Sequence, residues 1–333
     1  MGKLKRGKSL KASLAGHQKR QMDNVVAAKK KATLKETVKT GTGKKVAKKG
    51  KGEKRYTIPF CAEDKILLVG EGNFSFAHSL LDHPSIAHLP PSNITATAYD
   101  SESECLSKYP DATAHISALR TAGATILFNV DATHLEKTFK KEQKWDKVVW
   151  NFPHVGMGIA DVERNVVANQ RALLGFLKSV AGVLERGVVV DPSTKGKGKG
   201  RERAQVKADD EDEGEGEEGR DLGLKRAGSV LVTLREQEPY TLWDLPRLAK
   251  SPVVLDGFNS KNTASQPRYI QVRSFAFHAE AYPGYEHRRT AGWHEREQPL
   301  IRPVSEGGQC RTWEFVLRPE ETSSTARRSD GRV

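Results

Sequence analysis

Four short runs fix most of what this chain can fold into: KILLVG (65–70), ITATAYD (94–100), ATILFNVD (124–131) and DKVVWNF (146–152). Each is rich in apolar or β-branched residues and delivers the chain to a glycine or a polar side chain, at Gly70, Asp100, Asp131 and Asn151. Strands that are apolar on both faces need cover on both faces, which is the condition of a parallel sheet flanked by helices. The stretches between them supply those helices, expected over 74–81, over 112–122 with Gly123 as the stop, and near 134–142. Residues 161–184 form a longer amphipathic pattern, with Val162, Val166, Leu173, Leu174, Leu177 and Val180 near the helical period. GSVLVTL (228–234) reads as a fifth strand, followed by a helix at about 241–249. RYIQVRSFAFH (268–278) and CRTWEFVL (310–317) alternate like strands with no clear helix between them, so they are expected to pair antiparallel at one edge. The expectation is an α/β fold, a doubly wound sheet of seven strands, mostly parallel with an antiparallel edge strand.

Charge separates this core from its flanks. Residues 1–55 hold 19 Lys+Arg against 3 Asp+Glu, a net of +16 in a chain whose total is +13. That segment has no aromatic residue and too few large apolar ones to offset the entropy of ordering, so a disordered basic arm is expected. Its lysine clusters at 29–31 and 44–54 suit nuclear import and phosphate contact, and a nuclear or nucleolar location is expected; a plain solubilising tail is the alternative. Residues 192–227 pass from a basic run to an acidic one with glycine throughout, the pattern of a disordered insertion in a surface loop. The folded domain is expected over 56–318, and 319–333 as a frayed tail. No run of 18 or more apolar residues exists, so no membrane span is expected. Cys61, Cys105 and Cys310 lie too far apart to form a disulfide framework or a paired zinc ligand set, and no metal is expected.

In an open parallel sheet, ligands bind outside the carboxyl ends of the strands, where the strand order reverses. After the first strand comes Gly70-Glu71-Gly72-Asn73-Phe74-Ser75. The glycines permit a tight turn and close approach of a ligand to the backbone. Ser75 stands where a dinucleotide fingerprint has its third glycine, the one that lets the helix lie close beside a pyrophosphate. A ligand without a diphosphate, such as S-adenosylmethionine, fits this turn better; a plain strand-to-helix turn is the alternative. Asp100, after the second strand, can accept hydrogen bonds from both ribose hydroxyls and would repel the extra phosphate of NADP. Asp131, after the third, can accept a bond from an adenine amino group. Either Asp can equally be a helix N-cap.

After the fourth strand comes Asn151-Phe152-Pro153-His154. A side-chain amide, a rigid Pro and a ring at this position resemble the Asn/Asp-Pro-Pro-Tyr/Phe motif of methyltransferases that act on planar nitrogens. The amide fixes the target nitrogen, the Pro stiffens the turn and a ring stacks on an extruded base. Here Phe152 replaces the first Pro and His154 replaces the final Tyr or Phe, and an imidazole can both stack and accept a proton.

ILLVGEGNFSFA (66–77), KVVWNFPHVG (147–156) and YPGYEHRRT (282–290) together resemble the ribosomal RNA (uridine-N(3))-methyltransferases of fungal and other eukaryotic nucleoli. Similar domains occur in plants, and in an animal protein joined to a ferredoxin-fold anticodon-binding module; this chain resembles the stand-alone form. The resemblance implies a Rossmann-like, S-adenosylmethionine-dependent sheet. It also implies methyl transfer to the position-3 nitrogen of a uridine in large-subunit ribosomal RNA during ribosome biogenesis. In that reading 70–75, Asp100 and Asp131 hold the cofactor, and Asn151, Pro153 and His154 serve the chemistry. Phe152 meets the substrate. The third motif adds Tyr285 and His287 as stacking rings and Arg288 and Arg289 as phosphate ligands. Packed tyrosines and arginines paired to acids are the alternative there.

The reaction expected is attack of a uracil nitrogen on the sulfonium methyl. That nitrogen carries a proton at neutral pH, so a base must help, with His154 the first candidate. The partner is expected to be ribosomal RNA within a pre-ribosome, bound by a monomer. The rivals are a non-catalytic RNA-binding assembly factor that keeps the pocket, a nicotinamide-dependent oxidoreductase and a methyltransferase for another RNA base.

Overall fold

The computed structural model of the chain describes residues 56–155, 161–189, 225–252, 266–288 and 309–319. The basic arm, most of the expected insertion, Arg289 and nearly all of the expected tail lie outside the described residues.

Seven strands form one sheet: β1 (Ile66–Val69), β2 (Ile94–Thr97), β3 (Thr125–Leu127), β4 (Lys147–Asn151), β5 (Ser229–Arg235), β6 (Tyr269–Phe277) and β7 (Cys310–Leu317). Their order is β3-β2-β1-β4-β5-β7-β6, so the winding reverses between β1 and β4. The first five are mutually parallel. The antiparallel pairing falls at one edge, as the alternating pattern implies, and β7 is the reversed strand. It pairs antiparallel with both β5 and β6, which leaves β6, on the outside, running with the first five. This is the Rossmann-like seven-stranded sheet expected from the sequence.

All four residues of β1 are buried, as are Val148, Val149 and Trp150 of β4 and the first six residues of β5. Each large side chain so enclosed contributes about 1.5–3 kcal/mol relative to exposure. One face is covered by α1 (Ser75–Ser79) and α3 (Ala112–Ala122), whose Phe76, Ala77, Ile116 and Leu119 join the core beneath β1 and β2. The other face takes α4 (Val162–Val180), where Trp150 packs on Phe176 with ring centroids 4.6 Å apart. Asp161 caps α4 by accepting from Arg164 N at 2.7 Å. Far from the glycine turn, buried Glu314 of β7 accepts from Lys147 at 2.7 Å, Arg273 at 2.6 Å and Ser229 at 2.7 Å, stitching β4, β5, β6 and β7 together.

Several boundaries differ from the sequence reading, each for a local reason. The helix expected near 134–142 is only 3-10 turns at Ala132–Lys137, because His134 leaves helical geometry. The strand expected over 124–131 stops at Leu127, and Asn129 then takes a left-handed φ of 58°. The helix expected at 241–249 is a 3-10 turn, Tyr240–Trp243, then α5 (Leu245–Lys250). Pro246 has no N–H for a continuous helix, so the helix restarts with Pro in its first turn. The long helix ends at Val180 rather than 184, and Val162, expected on its apolar stripe, is 56% exposed. An additional helix, α2 (Glu102–Lys108), follows β2. The far end of the expected disordered insertion is folded: Val188 N donates to Lys225 O at 2.9 Å and Ala227 N to Val188 O at 3.1 Å.

Candidate active site

The turns after β1 and β4 leave the sheet side by side at the point of reversal. Val69 pairs with Trp150 in register, so Gly70 and Asn151 emerge as neighbours. Gly70 has a φ of 70°, and a Cβ there would come within 2.9 Å of the Trp150 indole nitrogen. Both the backbone angle and the neighbouring ring therefore require glycine. Glu71 N then donates to Thr97 O at 2.8 Å, and Phe152 N to Thr233 O at 2.9 Å, tying each turn to a flanking strand.

The glycine turn is braced from within. Asn73 is buried; its Oδ1 accepts from Ser75 N at 3.2 Å and from Ser75 Oγ at 2.8 Å, and its Nδ2 donates to Asp111 at 2.8 Å. Phe74 takes a left-handed φ of 62° and buries its ring edge-on to Phe128. Asn73, Phe74 and Ser75, nominated as cofactor ligands, thus direct their side chains into the protein, and what the turn offers a ligand is its backbone at 70–72. Glu71 accepts from Ala77 N at 3.3 Å, and burial, against the pull of that N–H, pushes its carboxyl up to about 7.

Of the two aspartates, Asp100 is not a cap. Ser101 takes that place, with a capping box to Glu104, and Asp100 Oδ1 accepts from Lys108 at 2.7 Å while its Oδ2 bonds to no described residue. Asp131 is an N-cap, the alternative the sequence allowed. Its Oδ1 accepts from Thr133 N at 2.8 Å, and Oδ2 lies 3.0 Å from His134 Nδ1. Beside Asp100, at the carboxyl end of β2, Tyr99 is 71% exposed. Sequence reasoning passed over it, although its place one residue before Asp100 was a usable signal. An exposed ring on a ligand-binding rim is a stacking surface.

The turn after β4 has a different character. Asn151 Oδ1 accepts from Thr233 Oγ1 at 2.8 Å, and Thr233 Oγ1 is 2.9 Å from Thr312 Oγ1. These contacts set the amide, yet its Nδ2 is buried with no partner among the described residues. Phe152 takes a left-handed φ of 51°, Pro153 is buried, and Val155 N donates to Asn169 of α4 at 3.2 Å. The His154 ring lies 6.2 Å from that of Trp243, and partial burial lowers its pKa from the usual imidazole value of 6.5. At neutral pH it is uncharged and able to accept a proton. Gln170 Oε1, Thr241 Oγ1 and Trp243 Nε1, on α4 and the turn after β5, are also buried without partners among the described residues.

The third motif is placed differently from its expected role. Tyr285, partly buried, packs against Phe76 and Phe277 with ring centroids 5.3 and 5.9 Å apart, and burial pushes its hydroxyl well above the ordinary value. Arg288, nominated as a phosphate ligand, has a side chain only 12% exposed and pairs with Asp111 at 2.7 Å and Glu286 at 2.6 Å. His287 lies with its ring 4.4 Å from Phe152. Sequence reasoning missed Asp111, which carries no motif of its own.

Among the described residues no group of three or more His, Cys, Asp or Glu is arranged to hold a metal. No described helix is long and apolar enough to cross a membrane. The rim does fit S-adenosylmethionine: a glycine turn at 70–72, a carboxylate at Asp100 with one oxygen that bonds to no described residue, and an exposed ring at Tyr99.

A reversal between β1 and β4, a glycine turn at the first and an Asn-Phe-Pro-His turn at the second define a protein of the Rossmann-like methyltransferase class. A family model for BMT5-like rRNA (uridine-N3-)-methyltransferases matches residues 67–289, which span both turns and the third motif. The chain belongs to that family. It is similar to the 25S rRNA (uridine(2634)-N(3))-methyltransferase of Saccharomyces cerevisiae, 28% identical over 324 residues, covering 90% of this chain and 88% of that protein. An uncharacterized protein of Arabidopsis thaliana is 37% identical over 261 residues, 77% of this chain and 94% of its own length. The human ferredoxin-fold anticodon-binding domain-containing protein 1 is 36% identical over 133 residues, 38% of this chain and 19% of its own.

Proposed function

We propose that this protein transfers a methyl group from S-adenosylmethionine to the N3 of a uridine in large-subunit ribosomal RNA. The observation that carries the reading is the Nδ2 of Asn151, buried with no partner among the described residues, adjacent to the glycine turn, in a chain of this family. A buried donor left unpaired costs about 1–3 kcal/mol, and a uracil carbonyl beside N3 relieves that cost. The 28% identity to the yeast enzyme supports a large-subunit target.

The backbone at 70–72, Asp100 and Tyr99 would hold the cofactor, with the Asp131 cap at the adjoining strand end. The cofactor would supply an electrophilic methyl on a sulfonium, transferred with its bonding pair left on sulfur as a neutral thioether. Asn151 donates Nδ2–H to a carbonyl of the flipped base, its amide held in that sense by Thr233 and Thr312. Phe152 and Pro153 shape the turn against which the base rests. His154, neutral because partial burial lowers its pKa, is the residue placed to accept the N3 proton of the base.

The basic arm at 1–55 adds sequence-independent phosphate affinity and directs the protein to the nucleus and nucleolus, where it acts as a monomer on pre-ribosomes. Nucleoside mass mapping of ribosomal RNA from cells lacking the protein tests the proposal. Loss of one 3-methyluridine from the large subunit is expected. An unchanged nucleoside profile, with S-adenosylmethionine still bound by the purified protein, would leave a non-catalytic assembly factor.

A further inference from the structure

The segment 282–288 bridges the two turns. On one side Ser75 Oγ lies 3.0 Å from Glu286 O and 3.2 Å from Glu286 N. Arg288 Nη2 and Nε donate to Asp111 Oδ2 at 2.7 and 3.3 Å, and the same oxygen accepts from Asn73 Nδ2 at 2.8 Å. Burial pushes the Asp111 carboxyl up, but Arg288 and Asn73 outweigh it and hold the group below its ordinary value, so it stays charged. On the other side the His287 ring sits 4.4 Å from Phe152, and its Nδ1 lies 3.4 Å from the Tyr285 hydroxyl. Phe152 is the left-handed residue between Asn151 and Pro153, a conformation of order 1–3 kcal/mol above the usual basins that persists only where its surroundings impose it.

We propose that 282–288 is an internal brace that sets the spacing between the methyl-donor turn and the acceptor turn. Arg288 is the positioning residue for the first, acting through Asp111 and Asn73. His287 is the positioning residue for the second, acting through Phe152. Neither is an RNA ligand in this assignment. The chemistry explains why such a part is needed. The donor turn belongs to β1 and the acceptor turn to β4, and an in-line displacement loses about 10²-fold in rate for a misplacement near 1 Å. A segment anchored to both turns holds that spacing more firmly than two independent loops. The inference rests on the functional reading for its meaning, but its test does not require methyl transfer.

The test uses the full chain carrying Arg288→Ala, Arg288→Lys or His287→Ala. Hydrogen exchange should quicken about 10-fold or more in the amides of 71–77 for Arg288→Ala, with partial recovery in Arg288→Lys, which restores the charge without the fork. For His287→Ala the faster exchange should appear at 152–155 and leave 71–77 unchanged. In parallel, Arg288→Ala should weaken S-adenosylmethionine binding about 10-fold, while its RNA affinity keeps the wild-type salt slope. An Arg288→Ala variant whose RNA salt slope falls by about 1, with exchange at 71–77 unaltered, makes Arg288 a phosphate ligand and overturns the brace. If the wild-type protein binds no S-adenosylmethionine, the functional reading fails, and the exchange pattern still decides the brace.

Discussion

The two halves of the rim, one after β1 and one after β4, treat their polar atoms in opposite ways. On the donor side, Asn73 makes three bonds to two partners, and Asp111 Oδ2 collects two more from Arg288, while Asp111 Oδ1 is buried with no partner among the described residues. On the acceptor side, Asn151 Nδ2, Gln170 Oε1, Thr241 Oγ1 and Trp243 Nε1 are all buried and unpaired among the described residues. Folding satisfies all but one of the buried polar atoms named in the first half, and the second keeps more hydrogen-bonding capacity in reserve. Substitutions on the donor side should therefore read out mainly as stability, and those on the acceptor side mainly as turnover.

The largest effect expected is at His154. His154→Ala should lower kcat by about 10²–10⁴, the span for a lost general base, with S-adenosylmethionine affinity unchanged by calorimetry. In the wild-type enzyme, activity should fall on the acid side with a midpoint below 6.5, because protonation removes the acceptor, and that limb should vanish in the variant. Wild-type rates in His154→Ala would break the comparison at its strongest point. Next, Asn73→Ala should cost about 1–3 kcal/mol in urea unfolding, since it strips partners from Asp111 and Ser75. Unchanged stability with collapsed kcat would invert the distinction between the halves.

A smaller effect is expected at Glu71. Its folded pKa, about 7, lies above the ordinary 4.5, so the protonated side chain favours the fold. That stability is fully present below 4.5 and is lost as pH rises through about 7. Glu71→Gln, which resembles the protonated form, should be about 1–2 kcal/mol more stable than wild type at pH 8 and equal to it at pH 4. Thermal melts across that range would sharpen how much the donor turn depends on burial. Equal melting curves at both pH values would show that Glu71 does not titrate with folding.

The sheet and the place of the site were legible because they rest on local signals. Apolar runs marked the first five strands, and the residues that ended them marked the rim. Gly123 closed α3 where expected, with a φ of 92°. The helix α2 was equally readable, since Ser101 and Glu104 form the spacing of a capping box. The roles of Arg288 and Tyr285 were not legible. A basic or aromatic residue in an exposed-looking motif reads the same whether it faces RNA or the protein, and only the position of Asp111 on a separate element decides between them. The division of labour within 70–75 was hidden for the same reason: a glycine turn is visible in sequence, but the inward bonding of Asn73 and Ser75 is not.

The hydroxyl pair Thr233–Thr312 carries a consequence for how the protein matures on the ribosome. β7 is the last strand of the sheet to be synthesised, yet it inserts between β5 and β6 and brings Thr312 against Thr233. Until it arrives, β6 has no neighbour to pair with and the Asn151 amide lacks the outer link of its support. A nascent chain can thus assemble the glycine turn after β1 first and complete the support of the turn after β4 only when translation of the sheet is finished.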